Sequence, residues 1–214
     1  IIKKYTSLDK RFDNWHSRVA NVSHDAFAVA MQKNHVPFDY LYLYDDTDAK
    51  KLQKYDVLIY PHAFILTEKR IKLLEEYVEN GGKLIMGART GYKDIDGKCV
   101  TDYLPGLAAK LTGTDVYEYS FVAPDEGKVM VNWGGEKVEA AVFNDLLRPI
   151  GENAKVIATY DNSCYCNVPA LIENRFGKGY AYYFGGAFAE DTAQMFLDKL
   201  NISKMFKEYI GAPK

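Results

Sequence analysis

Residues 56–60 read Asp56-Val57-Leu58-Ile59-Tyr60, an apolar run of strand length that stops at Pro61, and a second such run, Lys83-Leu84-Ile85-Met86, follows one helical segment later. Runs without polar alternation belong to strands covered on both faces, which restricts the chain to folds with helices on either side of a sheet. The segment between them carries its own start and stop signals. Thr67 is placed to cap a helix, although Arg70 stands where the acid of a capping box would be. Ile71, Leu74, Tyr77 and Val78 fall at helical spacing, and Asn80-Gly81-Gly82 ends the run.

The remaining pattern extends this plan. Residues 1–5 and 38–43 have strand character, and residues 19–32 show helical spacing with Val22, Ala26, Val29 and Ala30 on one face. A short helix interrupted by Pro105 is expected over residues 102–111. Beyond Gly113 the strands come closer together, at residues 116–122, 128–133, 137–143 and 156–160, joined by turns such as Gly134-Gly135. Residues 170–175 and 180–184 flank Phe176-Gly177-Lys178-Gly179, a hairpin signal with Lys178 at its tip, and a helix is expected over residues 190–200. The fold expected is α/β: a flavodoxin-like three-layer sandwich with a mostly parallel sheet and an added antiparallel region, forming one domain over residues 1–214.

Bulk properties narrow the partners. With 48% hydrophobic residues and a net charge of −2, the chain has a core to bury and no electrostatic pull toward nucleic acid or anionic membranes. No apolar run reaches the ~20 residues of a membrane span, and no signal peptide follows Lys3-Lys4. Three cysteines, Cys99, Cys164 and Cys166, are read as free thiols of a cytoplasmic protein. Cys164 and Cys166 are expected on one face of a strand as small buried side chains; no metal site and no cofactor is expected. A start at Ile1 without methionine suggests a segment of something longer.

Straight after residues 83–86 the sequence is Gly87-Ala88-Arg89-Thr90-Gly91. This has the frame of a nucleophile elbow, in which glycines flank a nucleophile on a sharp turn between strand and helix. Arg89 holds the nucleophile's place, and a guanidinium stays protonated and cannot attack a carbonyl. The four histidines, His16, His24, His35 and His62, all precede residue 63, so no late base can serve the elbow either. Arg89 is therefore read as a degenerate elbow position.

Several pieces resemble one family. Residues 55–61 and 77–84, Arg89-Thr90-Gly91 leading through Asp96 to Cys99, and Tyr103-Leu104-Pro105-Gly106-Leu107 are similar to the middle domain of glycoside hydrolase family 42 β-galactosidases. The strongest pieces are Asp145-Leu146-Leu147-Arg148-Pro149 and Pro169-Ala170-Leu171-Ile172-Glu173-Asn174-Arg175-Phe176-Gly177-Lys178-Gly179. The last residues, Gly211-Ala212-Pro213-Lys214, resemble the linker into that family's C-terminal β-domain. The resemblance implies a fold like the class I glutamine amidotransferases and a place around the threefold axis of a homotrimer. It further implies that the two catalytic glutamates sit on a preceding (β/α)8 barrel, absent here, so that galactosides are met only through that barrel. The expectation is a non-catalytic trimerisation domain of an enzyme of carbohydrate metabolism.

Other readings of the residues stay open. The acidic pairs Glu75-Glu76, Asp45-Asp46 and Asp125-Glu126 diverge as neighbours must, unlike the carboxylates of a glycosidase, which face each other at about 5–9.5 Å. His62, Arg89, Thr90 and Tyr92 come together either as a vestigial anion or sugar pocket or as a hydrogen-bonded structural cluster. Tyr117, Tyr119, Phe121 and Trp133 form an aromatic set, with the first three placed on one face by alternation. That set suits a subunit interface, a sugar-stacking platform of a carbohydrate-binding module, or the chain's own core. An amidotransferase-like enzyme with an unrecognised nucleophile is the remaining alternative.

Overall fold

A computed structural model of the protein describes residues 1–3, 16–122 and 126–202. Lys4 and Tyr5 of the first expected strand, Asp125 of one acidic pair, and the linker-like residues 211–214 lie outside the described residues. Eleven strands are found among them. β1 (Ile2–Lys3) and β2 (Leu41–Tyr42) make a small parallel pair. The others are β3 (Val57–Tyr60), β4 (Lys83–Met86), β5 (Thr114–Phe121), β6 (Met130–Trp133), β7 (Glu136–Pro149), β8 (Ala154–Tyr160), β9 (Pro169–Phe176), β10 (Gly179–Phe184) and β11 (Gly186–Phe188). Their order is β11-β7-β6-β8-β9-β10-β4-β3, with β5 attached to β7.

The sheet is mixed rather than mostly parallel. Only β3 with β4 and β4 with β10 run parallel; the pairs among β5 to β11 are antiparallel. The cause lies in the connections. A helix of crossover length lies between the parallel β3 and β4, whereas β6–β7 and β9–β10 are hairpins closed at Gly134-Gly135 and Gly177-Lys178, which makes each an antiparallel pair.

Helices α1 (Asn21–Lys33), α2 (Ala49–Leu52), α3 (Glu68–Glu79), α4 (Ala109–Thr112) and α5 (Glu190–Lys199) complete the framework. Alternation along the central strands feeds two cores. Ile59, Ile85, Tyr182 and Phe184 meet Phe27 of α1 and Phe196 of α5 on one face. Leu58, Tyr60, Leu84, Met86 and Tyr183 meet Ile71, Leu74 and Tyr77 of α3 on the other. The strands that read as continuously apolar are thus covered on both sides, as their composition requires. Thr67 caps α3 by accepting from the Arg70 N–H at 3.2 Å. At the far end of α3, a Cβ on Gly82 would stand 2.2 Å from the Tyr77 ring, so only glycine lets the chain turn there.

Several elements differ from expectation. In α1 the buried face carries Ala26, Phe27, Ala30 and Met31, while Val22 is 37% exposed. His24 and Ser23 take part in that face because Ser23 Oγ accepts from the Phe188 N–H and His24 Nε2 lies 3.1 Å from the Ile2 carbonyl. Polar residues that spend their hydrogen bonds inside are invisible to a hydrophobic count. Of the strand expected over residues 38–43, Leu41–Tyr42 forms β2, paired with β1. Pro105 removes residues 102–105 from the helix expected there, leaving a 3-10 turn (Gly106–Ala108) and α4. Cys164 and Cys166 sit in the turn between β8 and β9, and all three cysteines are exposed. Asn167 N–H donating to the Tyr160 carbonyl closes that turn and takes the cysteines out of the strand.

His24 gives the fold a measurable acid sensitivity. Burial lowers its pKa, reinforced by the Lys3 charge and resisted by its backbone hydrogen bonds. The native imidazole therefore gives up its proton more readily than the unfolded one, whose pKa is about 6.5. Stability is at its full value above that range and falls as pH drops through it, where the unfolded chain alone takes up the proton. The melting temperature should fall between about pH 7.5 and about pH 5.5, with a shallower fall for His24→Gln. Equal slopes for the two proteins would remove His24 from the account.

Candidate functional site: a glycine-framed turn around a buried aspartate

β3 and β4 end side by side, and the chain leaving β4 turns sharply through Gly87-Ala88-Arg89-Thr90-Gly91. Both glycines are required. A Cβ on Gly87 would lie 2.4 Å from the Pro61 carbonyl oxygen, and one on Gly91, at φ +66°, would lie 2.0 Å from the Pro105 carbonyl oxygen. Arg89 itself adopts φ 64°, the left-handed region that L side chains rarely enter. The turn thus keeps a strained arginine between two glycines, and it leads to isolated bridges at Lys93 and Cys99, not into the helix expected of a nucleophile elbow.

What holds the strained turn is Asp145, in the middle of β7 and fully buried. One oxygen, Oδ2, accepts from the Arg89 main-chain N–H at 2.9 Å and from the Tyr183 hydroxyl at 2.7 Å. The other, Oδ1, accepts from the Tyr92 hydroxyl at 2.7 Å. The Asp145 carbonyl accepts from the Tyr160 hydroxyl at 2.8 Å. Burial pushes the Asp145 carboxyl above the ordinary carboxylate range, against the hydrogen bonds from Tyr183, Tyr92 and Arg89, which favour the anion. Burial also raises the Tyr92 and Tyr183 phenols, so both remain protonated donors.

The Arg89 side chain lies among aromatic rings beside this network. Its guanidinium lies 4.9 Å from the Phe64 ring centroid, 4.9 Å from Phe143 and 5.3 Å from Tyr92. Tyr119 stacks on Phe143 with centroids 5.4 Å apart and meets Tyr92 edge-on at 6.3 Å. His62 is buried, its Nδ1 3.1 Å from the Ala88 carbonyl and its ring stacked on Phe64. The Thr90 hydroxyl donates to the Gly87 carbonyl at 2.7 Å. His62, Arg89, Thr90 and Tyr92 do meet, then, and their named contacts are with neighbouring backbone, rings and Asp145. Sequence reasoning set Asp145 within a family motif but gave it no role; the signal was an acid between Phe143-Asn144 and Leu146-Leu147, inside an apolar run.

The aromatic set divides. Tyr119 and Phe121 are 52% and 55% exposed on β5. A register shift between Val116 and Glu118 takes Tyr117 out of their alternation, and Tyr117 instead lies under the Arg148 guanidinium at 3.9 Å. Trp133 is 8% exposed and packs edge-on against Phe196 at 4.9 Å, inside the core. Alternation in β6 sends it toward α5, so it is not a surface residue of this chain.

Residues 20–206 match the family model described as the β-galactosidase trimerisation domain. The chain belongs to that family. Among its relatives are β-galactosidase BgaA of Clostridium cellulovorans, 30% identical over 77% of this chain and 25% of its own length, and β-galactosidase Pbg of Clostridium perfringens, 31% identical over 75% and 24%. The chain spans about a quarter of the length of these curated relatives. A solved GH42 β-galactosidase from G. stearothermophilus contains the same fold with a TM-score of 0.78, at 22% identity over 91% of this chain and 27% of that one.

Arg89→Ala tests what the side chain contributes. Loss of the ring contacts should lower stability by about 1–2 kcal/mol, while the main-chain bond to Asp145 survives. A thermal melt indistinguishable from the wild type would show the guanidinium to be solvated and free to serve a ligand.

Proposed function

We propose that this chain associates in threes through a head-to-tail contact, and that in a longer protein it holds neighbouring β-galactosidase barrels in register. The observation that carries the reading is the aromatic edge of β5. This strand has β7 as its one strand partner among the described residues, and it presents Tyr119 and Phe121 half-exposed beside the Arg89 cluster. Exposed edge strands invite pairing, and a patch of tyrosine, phenylalanine and arginine has the composition of an interface centre. The match to the trimerisation family supports the same conclusion. Sedimentation of the purified chain over a range of concentrations should reveal a trimer; a monomer at the highest concentration reached would refute the reading.

We assign the layering as class I glutamine amidotransferase-like, on the strength of the elbow frame at Gly87 and Gly91 with Arg89 left-handed between them. On this reading residues 1–214 form one domain of a cytoplasmic enzyme of carbohydrate metabolism, the chain by itself is not a catalyst, and galactosides are bound by the barrel of the parent. Incubation with a chromogenic β-galactoside should give no turnover. Turnover abolished by changing one acidic residue of this chain would overturn that assignment.

A further inference from the structure

We propose that a cavity of about 400 Å³ between β5 and the turn joining β8 to β9 binds a neutral, polyhydroxylated molecule of monosaccharide size, hydrogen-bonded to the Asn144 carboxamide. Asn144 lies on the cavity wall and is 1% exposed, yet neither its Nδ2 nor its Oδ1 has a hydrogen-bond partner. Buried polar groups are almost always bonded, as the neighbouring Asp145 is, and a leucine at position 144 would leave no unmet donor and acceptor. The carboxamide therefore marks something that pairs with it.

The Asn162 amide and the Tyr160 hydroxyl on the same wall are already committed. Asn162 Oδ1 accepts from the Met130 N–H and its Nδ2 donates to the Lys128 carbonyl. The Tyr160 hydroxyl donates to the Asp145 carbonyl. An asparagine amide offers a donor and an acceptor side by side, which complement two adjacent hydroxyls, one accepting and one donating. Phe121 and Tyr165 on the same wall supply ring faces for the C–H side of such a molecule. Among the described residues the charged groups there, Glu126 and Lys128, are exposed and opposite in sign, which favours a neutral ligand. The volume is toward the small end of ligand pockets, suited to one sugar ring. Asn144 lines the cavity, and χ2 of asparagine is a broad torsion, so the amide can turn toward the ligand within its rotamer.

This inference does not rest on threefold association. D-Galactose, D-glucose and D-xylose would each be titrated to about 100 mM against the full chain, followed by ligand-observed NMR and thermal shift. At least one should bind saturably, with a dissociation constant of about 1 mM. Asn144→Leu, which keeps the volume and removes the amide, should weaken that binding about tenfold or more and melt no lower than the wild type. Should Asn144→Leu fail to fold, Tyr165→Ala at the rim carries the test, with a loss of about tenfold through the missing ring. Absence of saturable binding to the wild type overturns the proposal, and so does binding that neither substitution weakens. If the wild type binds no sugar and Asn144→Leu loses its association, the cavity belongs to the subunit contact and the proposal is equally overturned.

Discussion

Asp145→Leu should destabilise this domain by about 3–5 kcal/mol, the loss expected when a buried acceptor of several hydrogen bonds is removed. The Tyr92 and Tyr183 hydroxyls and the Arg89 N–H would all be left without the oxygen they now share. The damage would extend to the elbow, because the Arg89 N–H bond is what fixes a left-handed residue between two glycines that admit no side chain. For a chain of this size the midpoint should fall by about 10 °C or more, at about 2–4 °C for each kcal/mol. Asp145→Asn keeps an acceptor and the shape, and hydroxyls can rotate to accept from its amide, so about 1–2 kcal/mol is expected. The pair also separates charge from shape. Burial raises the Asp145 pKa, so the native carboxyl holds its proton more tightly than the unfolded one, whose pKa is about 3.9. Its favourable contribution is full below that value and is lost as pH rises through the native pKa. Asp145→Asn should remove this component from the pH profile of stability. A melt of Asp145→Leu within about 1 kcal/mol of the wild type would mean that the aspartate does not hold the turn.

How much of this site the sequence discloses follows from the physics of each part. The glycine-framed turn was legible because glycine spacing after a buried strand is a local signal. The two cores were legible for the strands, where alternation and continuous apolar runs report burial directly. Asp145 was not, because an aspartate inside a strand looks like the end of one. Only the convergence of Tyr92, Tyr183 and the Arg89 N–H, from 38 and more residues away in sequence, makes it a tolerable core residue. The same convergence extends β7 through Asn144 and Asp145 to Pro149, well past the end expected at residue 143. The faces of β5 were misjudged for a different reason. Period-2 alternation fails at one extra residue, and the bulge at Tyr117 leaves no mark in composition. Trp133 shows the limit of residue type as a guide: tryptophan is common at interfaces and in cores alike, and the strand's register decided for the core.

That division of the aromatic set defines the second large effect. A cyclic trimer joins two different patches, so each copy meets its neighbours through both, and a single substitution in one patch weakens all three contacts at once. Phe121, 55% exposed on the edge strand β5, is the residue whose replacement by aspartate should do most. A carboxylate at the centre of an interface must be desolvated without a partner, and aromatic anchors of this kind contribute about 2 kcal/mol or more when truncated. Each contact should therefore weaken by about thirtyfold or more, enough to carry a marginal trimer to monomers at micromolar concentration. The fold should not follow, because in the monomer the Phe121 side chain is half-exposed on β5 and belongs to none of the buried clusters. Trp133→Asp supplies the opposite signature. Its indole is enclosed against Phe196, so the charge should unfold the domain at any protein concentration. Sedimentation and thermal melts of the two variants, measured together, distinguish an interface from a core. If Phe121→Asp sediments as the wild type does at every concentration, the threefold contact lies on another face of the domain.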